Sequence, residues 1–254
     1  MSADRMIELR YVESVSRESV RQILKKNKLK PWRVTSWVIP EAGPDFVCAT
    51  EEVPAVYEQP YDPAHPKVCL DESPQLLIGE RREAVTDTHG ALRVDYEYTR
   101  EGTADIYMVV ELSGGRRKVF VRDRHTRLDQ AEVVAHIVEE MYPMAEKITL
   151  IQDNLSAHKK SALYELFAPE RARAVLEKPE FVFTPKHGSW LNVAEIELSV
   201  MTRQGLTARV ESKEQLIQQC TEWYETRNEK MSMVDWQFTA KDARIKLKRL
   251  YPSV

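Results

Sequence analysis

The chain has 254 residues, 43% hydrophobic and 30% charged, with a formal net charge of −3. That length suits one large domain with a sizeable core plus a small appendage, and the near-cancelling charge neither demands nor excludes a nucleic-acid partner. The N-terminus MSADRMIELR is charged from its start and no stretch approaches the ~20 apolar residues of a membrane span, so secretion and membrane insertion are disfavoured and a cytoplasmic location is expected.

Charge is unevenly spread. Residues 1–40 carry nine basic side chains and four acidic ones, so this segment stands at +5 and the remainder at −8. The asymmetry suggests a basic arm in front of an acidic body, and acidic clusters in nucleic-acid enzymes often serve metal ions rather than the polyanion. Cys48, Cys69 and Cys220 lie far apart with no CxxC spacing, which points to neither a disulfide framework nor a zinc site.

In chain order, SVSRESVRQILKKNKLK at 14–30 predicts a short helix with Val20, Ile23 and Leu24 on one side and Arg17, Arg21, Lys25 and Lys28 around the other. A basic face of this kind either contacts DNA or is simply solvated. Seven prolines from Pro31 to Pro66 leave room for a long helix only over about 41–57, and residues 41–66 read as a linker. KVCLD at 67–71 predicts a buried strand whose last residue is Asp71. Alternating runs at 94–98, 104–112 and 117–121, the last two separated by Ser113-Gly114-Gly115, predict a hairpin. A helix is expected over about 129–141 with Val133, Val134, Ile137 and Val138 inward, followed by a strand, KITLIQ, that runs into Asp153. Helix, strand and helix follow, which describes an α/β domain on a mixed sheet over residues 67–254. No internal repeat is visible.

Two buried strands each ending in aspartate can present both carboxylates at the carboxyl edge of one sheet, where ligands bind in α/β folds. Side by side and unpaired, Asp71 and Asp153 would repel, and a divalent cation removes that conflict. Either aspartate alone is more simply a turn or cap residue. The third carboxylate lies in TPKHGSWLNVAEIELSV at 184–200, where a loop leads into a helix with Leu191, Ala194, Leu198 and Met201 on its buried side. Glu195 falls close to that stripe, whereas Glu197, two positions on, points about 200° away, so only one of them can face a shared metal.

The blocks LIQDNLSAHK at 150–159 and TPKHGSWLNVAEIELSVMTRQGL at 184–206 resemble the transposases of the IS-six-thirty group, the bacterial branch of the Tc/mariner superfamily. VCLDES at 68–73, DYEYTREGTADIY at 95–107 and VSRESVRQILKKNKLKPWRV at 15–34 resemble the same family in the same order. The resemblance implies an RNase H-like mixed five-stranded sheet flanked by helices, preceded by a partial helix-turn-helix over residues 1–40. It implies a DDE triad of Asp71, Asp153 and Glu195 that is both catalytic and metal-binding. Such transposases begin with two helix-turn-helix units, and this chain reads as N-terminally truncated, beginning inside the second. Glu195 lies 42 positions beyond Asp153, a longer spacing than in the eukaryotic relatives, with residues 171–179 as the extra length.

The activity implied is metal-dependent DNA strand cleavage and strand transfer, with two Mg²⁺ or Mn²⁺ ions serving the attacking and leaving oxygens. Asp71 would bridge the ions, with Asp153 on one and Glu195 on the other, since hard cations prefer carboxylate oxygens. Partners implied are double-stranded DNA, as element ends and as a TA target, and a second copy of the chain. Asn154, His158, His187 and Asn192 are candidates to touch the scissile phosphate or to orient a carboxylate. Lys159 and Lys186 are candidates for the DNA backbone, as are Arg17, Arg21, Lys25 and Lys28. Trp190 reads as core packing, 214–230 as a packing helix with Leu216, Ile217, Cys220, Trp223 and Tyr224 inward, and 241–249 as a basic tail. The competing readings are an RNase H-like nuclease that cuts without joining, and a decayed remnant that only binds DNA.

Overall fold

The computed structural model describes residues 14–26, 43–82, 85–86, 89–90, 92–93, 95–153, 158–206 and 208–251. The chain divides into two compact units, Met1–Pro40 and Glu41–Val254.

In the first unit, helix α1 (Arg17–Lys26) starts where the Ser16 hydroxyl accepts the Ser19 amide at 3.0 Å, and Glu18 in its first turn favours the helix N-terminus. The side chains of Val20, Ile23, Leu24 and Lys25, and the whole of Lys28, lie outside the described residues.

The second unit opens with helix α2 (Pro44–Tyr57), which begins on a proline at its first position, where no amide is needed. This segment was expected to serve as part of a linker. Instead Val53, Val56 and Tyr57 are buried in the main core, because the apolar side chains of the helix find a sheet face to cover.

The sheet is built from β1 (Lys67–Glu80), β4 (Tyr98–Glu111), β5 (Arg117–Arg122), β6 (Ile148–Gln152) and β7 (Pro179–Phe183), in the spatial order β5-β4-β1-β6-β7; β2 (Val85–Thr86) and β3 (Leu92–Arg93) pair separately. β1 runs antiparallel to β4, and β4 to β5, while β1, β6 and β7 are mutually parallel neighbours. The β4–β5 hairpin turns where expected, with Gly115 at φ +66°, a region costly for any residue carrying a Cβ.

Alternation along the strands sorts the core into two layers. Cys69, Ile106, Met108, Val110 and Ile151 face α2, α6 (Val193–Gln204) and α7 (Lys213–Glu229). Val68, Leu70, Tyr107, Val109, Ile148 and Leu150 face α3 (Arg127–His136, continued by a π-helical turn at Ile137–Met141), α4 (Ala162–Leu166) and α5 (Pro169–Glu177). Helices on both faces explain why the stretch of β4 from Ala104 to Glu111 is buried without a polar-out phase.

One expectation is corrected. β1 does not end at Asp71; it continues nine residues further to Glu80 because β4 keeps pairing with it, from Asp71 opposite Met108 to Glu80 opposite Tyr98. What ends near Asp71 is the partnership with β6, whose last pair is Cys69 with Ile151. The C-terminal segment also differs from a free basic tail. Its residues Ala240–Lys246 form α8, with Ala243 buried and the Arg244 guanidinium forked onto Glu51 of α2 at 2.6 and 2.8 Å.

Candidate active site

The parallel register of β1 and β6 pairs Val68 with Leu150 and Cys69 with Ile151. Carried two residues on, it sets Asp71 level with Asp153, which follows the last residue of β6. Both lie at the carboxyl end of the parallel pair, the edge at which α/β sheets bind ligands.

The third carboxylate arrives through a tight loop. After β7, the Thr184 amide donates to the Gln152 carbonyl at 2.9 Å, extending the β6–β7 pairing, and the Gly188 amide then closes a turn on the Pro185 carbonyl at 2.8 Å. A Cβ at Gly188 would stand 2.4 Å from Pro185 Cγ, so only glycine allows the turn to close this far. A 3₁₀ turn, Ser189–Leu191, leads to Asn192, which is fully buried. Its Oδ1 accepts the Ala194 amide at 3.1 Å as the cap of α6, and its Nδ2 donates to the Leu70 carbonyl at 2.9 Å, the residue before Asp71. Asn192 thus fastens the start of the glutamate helix to the aspartate strand.

Asp71 and Glu195 line one cleft of about 400 Å³ together with Glu72, Ser73, Ser189, Leu198, Ser199 and Thr202. Glu195, Leu198, Ser199 and Thr202 follow the three- and four-residue spacing of one helix face. The reason given above for choosing Glu195 over Glu197 does not survive. Glu195 is exposed, whereas Glu197 is 3% exposed and belongs to the buried face of α6. Arg117 Nε donates to Glu197 at 2.6 Å and Arg227 Nη2 at 3.0 Å, so this carboxylate is fully engaged in an internal ion triad. Hydrophobic spacing alone does not reveal that a buried helix position is occupied by a paired charge.

Among the described residues no lysine or arginine lines the cleft, and its carboxylates stress one another. Burial, then the neighbouring Glu72, push Asp71 up to about 7; its contact with the Glu72 amide at 3.0 Å opposes this, and Asp153 and Glu195 add to the rise. His158 bridges the other side, with Nδ1 2.8 Å from Asp153 Oδ1 and Nε2 3.4 Å from Glu72 Oε1. Burial disfavours its charged form, yet Asp153 and Glu72 outweigh burial and raise it to about 10. Glu72 Oε2 is buried without a hydrogen-bond partner.

Hard oxygen donors that repel one another, with one carboxylate oxygen left orphaned, form a donor set chemically suited to a divalent cation. Among the described residues, no three His, Cys, Asp or Glu side chains already converge on a single point. The other candidates are scattered. His187, at φ +64°, and Lys186 are exposed and do not line the cleft. Lys159 lines a narrow crevice with Gln130, Gln152 and His158. Asn154 lies outside the described residues. Trp190 is 40% exposed, edge-on to Phe238, and so is not core packing; Ile217 is likewise 43% exposed. Arg21 is hydrogen-bonded to Glu18 within α1 at 2.6 and 2.7 Å. Sequence reasoning missed Glu72, whose signal was its direct adjacency to Asp71, and the serine and threonine of the cleft face of α6.

Residues 66–217 match the family model of the DDE superfamily endonucleases, and the chain belongs to that family. Its RNase H-like fold is that of the crystal structure of the Mos1 mariner paired-end complex with Mn, to which it is similar at a TM-score of 0.52 and 14% identity over 98% of this chain and 71% of that one. The Mos1 strand transfer complex matches at 0.51 and 14% over 98% and 70%, and a pre-cleavage Mos1 transpososome at 0.50 and 14% over 98% and 71%. No curated protein matches the chain.

Proposed function

We propose that this DDE-family chain is an insertion-sequence transposase of the IS-six-thirty kind that cuts DNA strands and joins the freed ends to target DNA. The observation that carries the reading is that Asp71 and Glu195 share one cleft with no basic side chain among its described lining residues. Asp153 stands level with Asp71 in the sheet register. Asp71, between the other two, would bridge two divalent ions, with Asp153 holding one and Glu195 the other; Mg²⁺ and Mn²⁺ both suit such donors. When bound, the ions supply the Lewis acidity that ionises water or a DNA 3′-hydroxyl and offsets charge on the leaving oxygen.

The protein's own groups would set the stage for that chemistry. His158 stands 2.8 Å from Asp153 Oδ1 and would hold that carboxylate in place. Asn192 fixes the first turn of α6, which keeps Glu195 beside β1. The open cleft face of α6, with Ser199 and Thr202, leaves room for a phosphodiester.

Residues 1–40, of which only 14–26 are described, would form a partial helix-turn-helix segment that grips DNA through Arg17, Arg21, Lys25 and Lys28, by charge rather than by base reading. The Mos1 structures are of paired-end and strand transfer complexes, which supports DNA ends as partners here; two ends held together would call for a second protomer. No helix among the described residues is long and apolar enough to cross a membrane, in keeping with action on cytoplasmic DNA.

The test is a strand-transfer assay with pre-cut DNA ends, a plasmid target and Mn²⁺. Joined product that is lost in Asp71→Asn supports the proposal. Cutting without any joined product would instead make the chain a nuclease of the same fold.

A further inference from the structure

We propose that Tyr57, on the helix that precedes the sheet, is a positioning residue for the carboxylate site, a role that rests on the function proposed above. Its side chain is buried, and its hydroxyl lies where the two carboxylate-bearing elements meet. The hydroxyl donates to the Leu191 carbonyl at 2.8 Å and stands 3.3 Å from Cys69 Sγ. Leu191 ends the 3₁₀ turn just before the cap of α6; Cys69 lies two residues before Asp71, on the same face of β1.

These bonds have a definite polarity. With the tyrosine hydrogen committed to Leu191, the Cys69 thiol is left to donate to the phenol oxygen. The chain of contacts therefore runs from β1 through the sulfur and the phenol to the carbonyl at the start of α6. The ring is held in turn by Trp236, edge-on at a centroid distance of 5.0 Å.

No backbone amide donates to the Leu191 carbonyl among the turn, loop and cap hydrogen bonds, since the Glu195 amide bonds to Asn192 instead, at 3.1 Å. Tyr57 satisfies that buried acceptor. It acts beside Asn192, which ties the next residue to Leu70. Two anchors on consecutive residues fix both the height and the tilt of the first turn of α6, and hence the separation of Glu195 from Asp71. Without the hydroxyl, the Leu191 carbonyl loses the one hydrogen bond it shows among the described residues, and the turn is held to β1 by Asn192 alone.

The experiment uses the full chain as wild type, Tyr57→Phe, Asp71→Asn and Val175→Ala; the last is a core truncation on α5, on the opposite layer. Free Mn²⁺ is followed by electron paramagnetic resonance to obtain the dissociation constant, at a temperature where circular dichroism shows every variant folded. Loss of an outer support of a metal site typically weakens binding tenfold or more, and Tyr57→Phe is expected to weaken Mn²⁺ binding by about tenfold. Val175→Ala, though less stable than wild type, should bind as wild type does. 4-Aminophenylalanine at position 57, which restores a donor at the same point, should recover the affinity. Should Tyr57→Phe not fold, 4-fluorophenylalanine fills the space of the hydroxyl without donating and takes its place with the same outcomes. Unchanged Mn²⁺ affinity without the donor, alongside lost binding in Asp71→Asn, overturns the role of Tyr57 alone. Unchanged binding in Asp71→Asn overturns the site itself and this role with it.

Discussion

Glu195 and Glu197 are two residues apart on one helix and do opposite things. Glu197 neutralises Arg117, whose side chain is completely buried and which also donates to the carbonyls of Gly115 and Ser232 at 3.0 and 2.6 Å. Removing one member of such a pair strands the other charge in the core, which costs about 3–5 kcal/mol. Glu197→Ala is therefore expected to lower the unfolding free energy by about that amount, read by urea unfolding. Glu195→Gln touches an exposed carboxylate in a repulsive cleft. Its unfolding free energy should stay within about 0.5 kcal/mol of wild type, while Mn²⁺-dependent DNA cleavage is lost. If the two variants exchanged these phenotypes, the assignment on α6 would be wrong.

Repulsion among the cleft carboxylates leads to a second expectation. Asp71 is raised to about 7 by burial and by Glu72, Asp153 and Glu195, so the metal-free protein carries an unfavourable arrangement that a cation relieves. Asp71→Asn should melt at a higher temperature than wild type in chelator. Mn²⁺ at a hundred times its dissociation constant should stabilise wild type by about 2.7 kcal/mol, and Asp71→Asn far less. Calorimetric scans with and without Mn²⁺ read both effects, and a wild-type melting curve indifferent to Mn²⁺ would contradict them.

Among the elements, those with uninterrupted local signals were legible in sequence. Ser113-Gly114-Gly115 marks the β4–β5 hairpin, and apolar periods mark α3 and β6, so the sequence alone puts Asp153 at a strand end. The second half of β1 was not legible. Past Asp71 it reads Glu72, Ser73, Pro74, Gln75, which looks like a loop, yet here β6 no longer pairs with it and β4 alone holds it. An edge of that kind tolerates a proline whose missing amide has no partner to lose. The helix α2 was legible as a helix but not as core, because nothing local says that Val53, Val56 and Tyr57 will meet the sheet face carrying Cys69. The loop between β7 and α6 was marked by Gly188, and its tightness gives a test. Gly188→Ala must push Pro185 aside, and overpacking of this kind costs about 1–3 kcal/mol. Thermal melting should show that loss, and cleavage should fall further than stability at a temperature where the variant is folded, because α6 is displaced with the loop.

For the molecule as a whole, the first forty residues are basic and the remainder acidic, and under the proposed function the former would hold DNA and the latter would cut it. Contacts to phosphate release counterions, so each one contributes about 0.9 to the slope of log affinity against log salt on duplex DNA. Lys25→Ala should reduce that slope by about one and weaken binding equally on different sequences, as measured by fluorescence anisotropy over a salt series. A sequence-selective loss would instead point to base reading by α1. The family motifs mark Asp71, Asp153 and Glu195 as a candidate set in the sequence, while the Tyr57 bond to Leu191 and the Asn192 bond to Leu70 join residues far apart in the chain and emerge only from the packing.

The central claim is that Asp71, Asp153 and Glu195 form one metal-dependent cleavage site. It is tested most directly by nicking of supercoiled plasmid in Mn²⁺, comparing the full chain with its Asp153→Ala variant at matched folded fractions. The account predicts nicked circles from wild type and none above background from the variant. Equal nicking by the two proteins would contradict it.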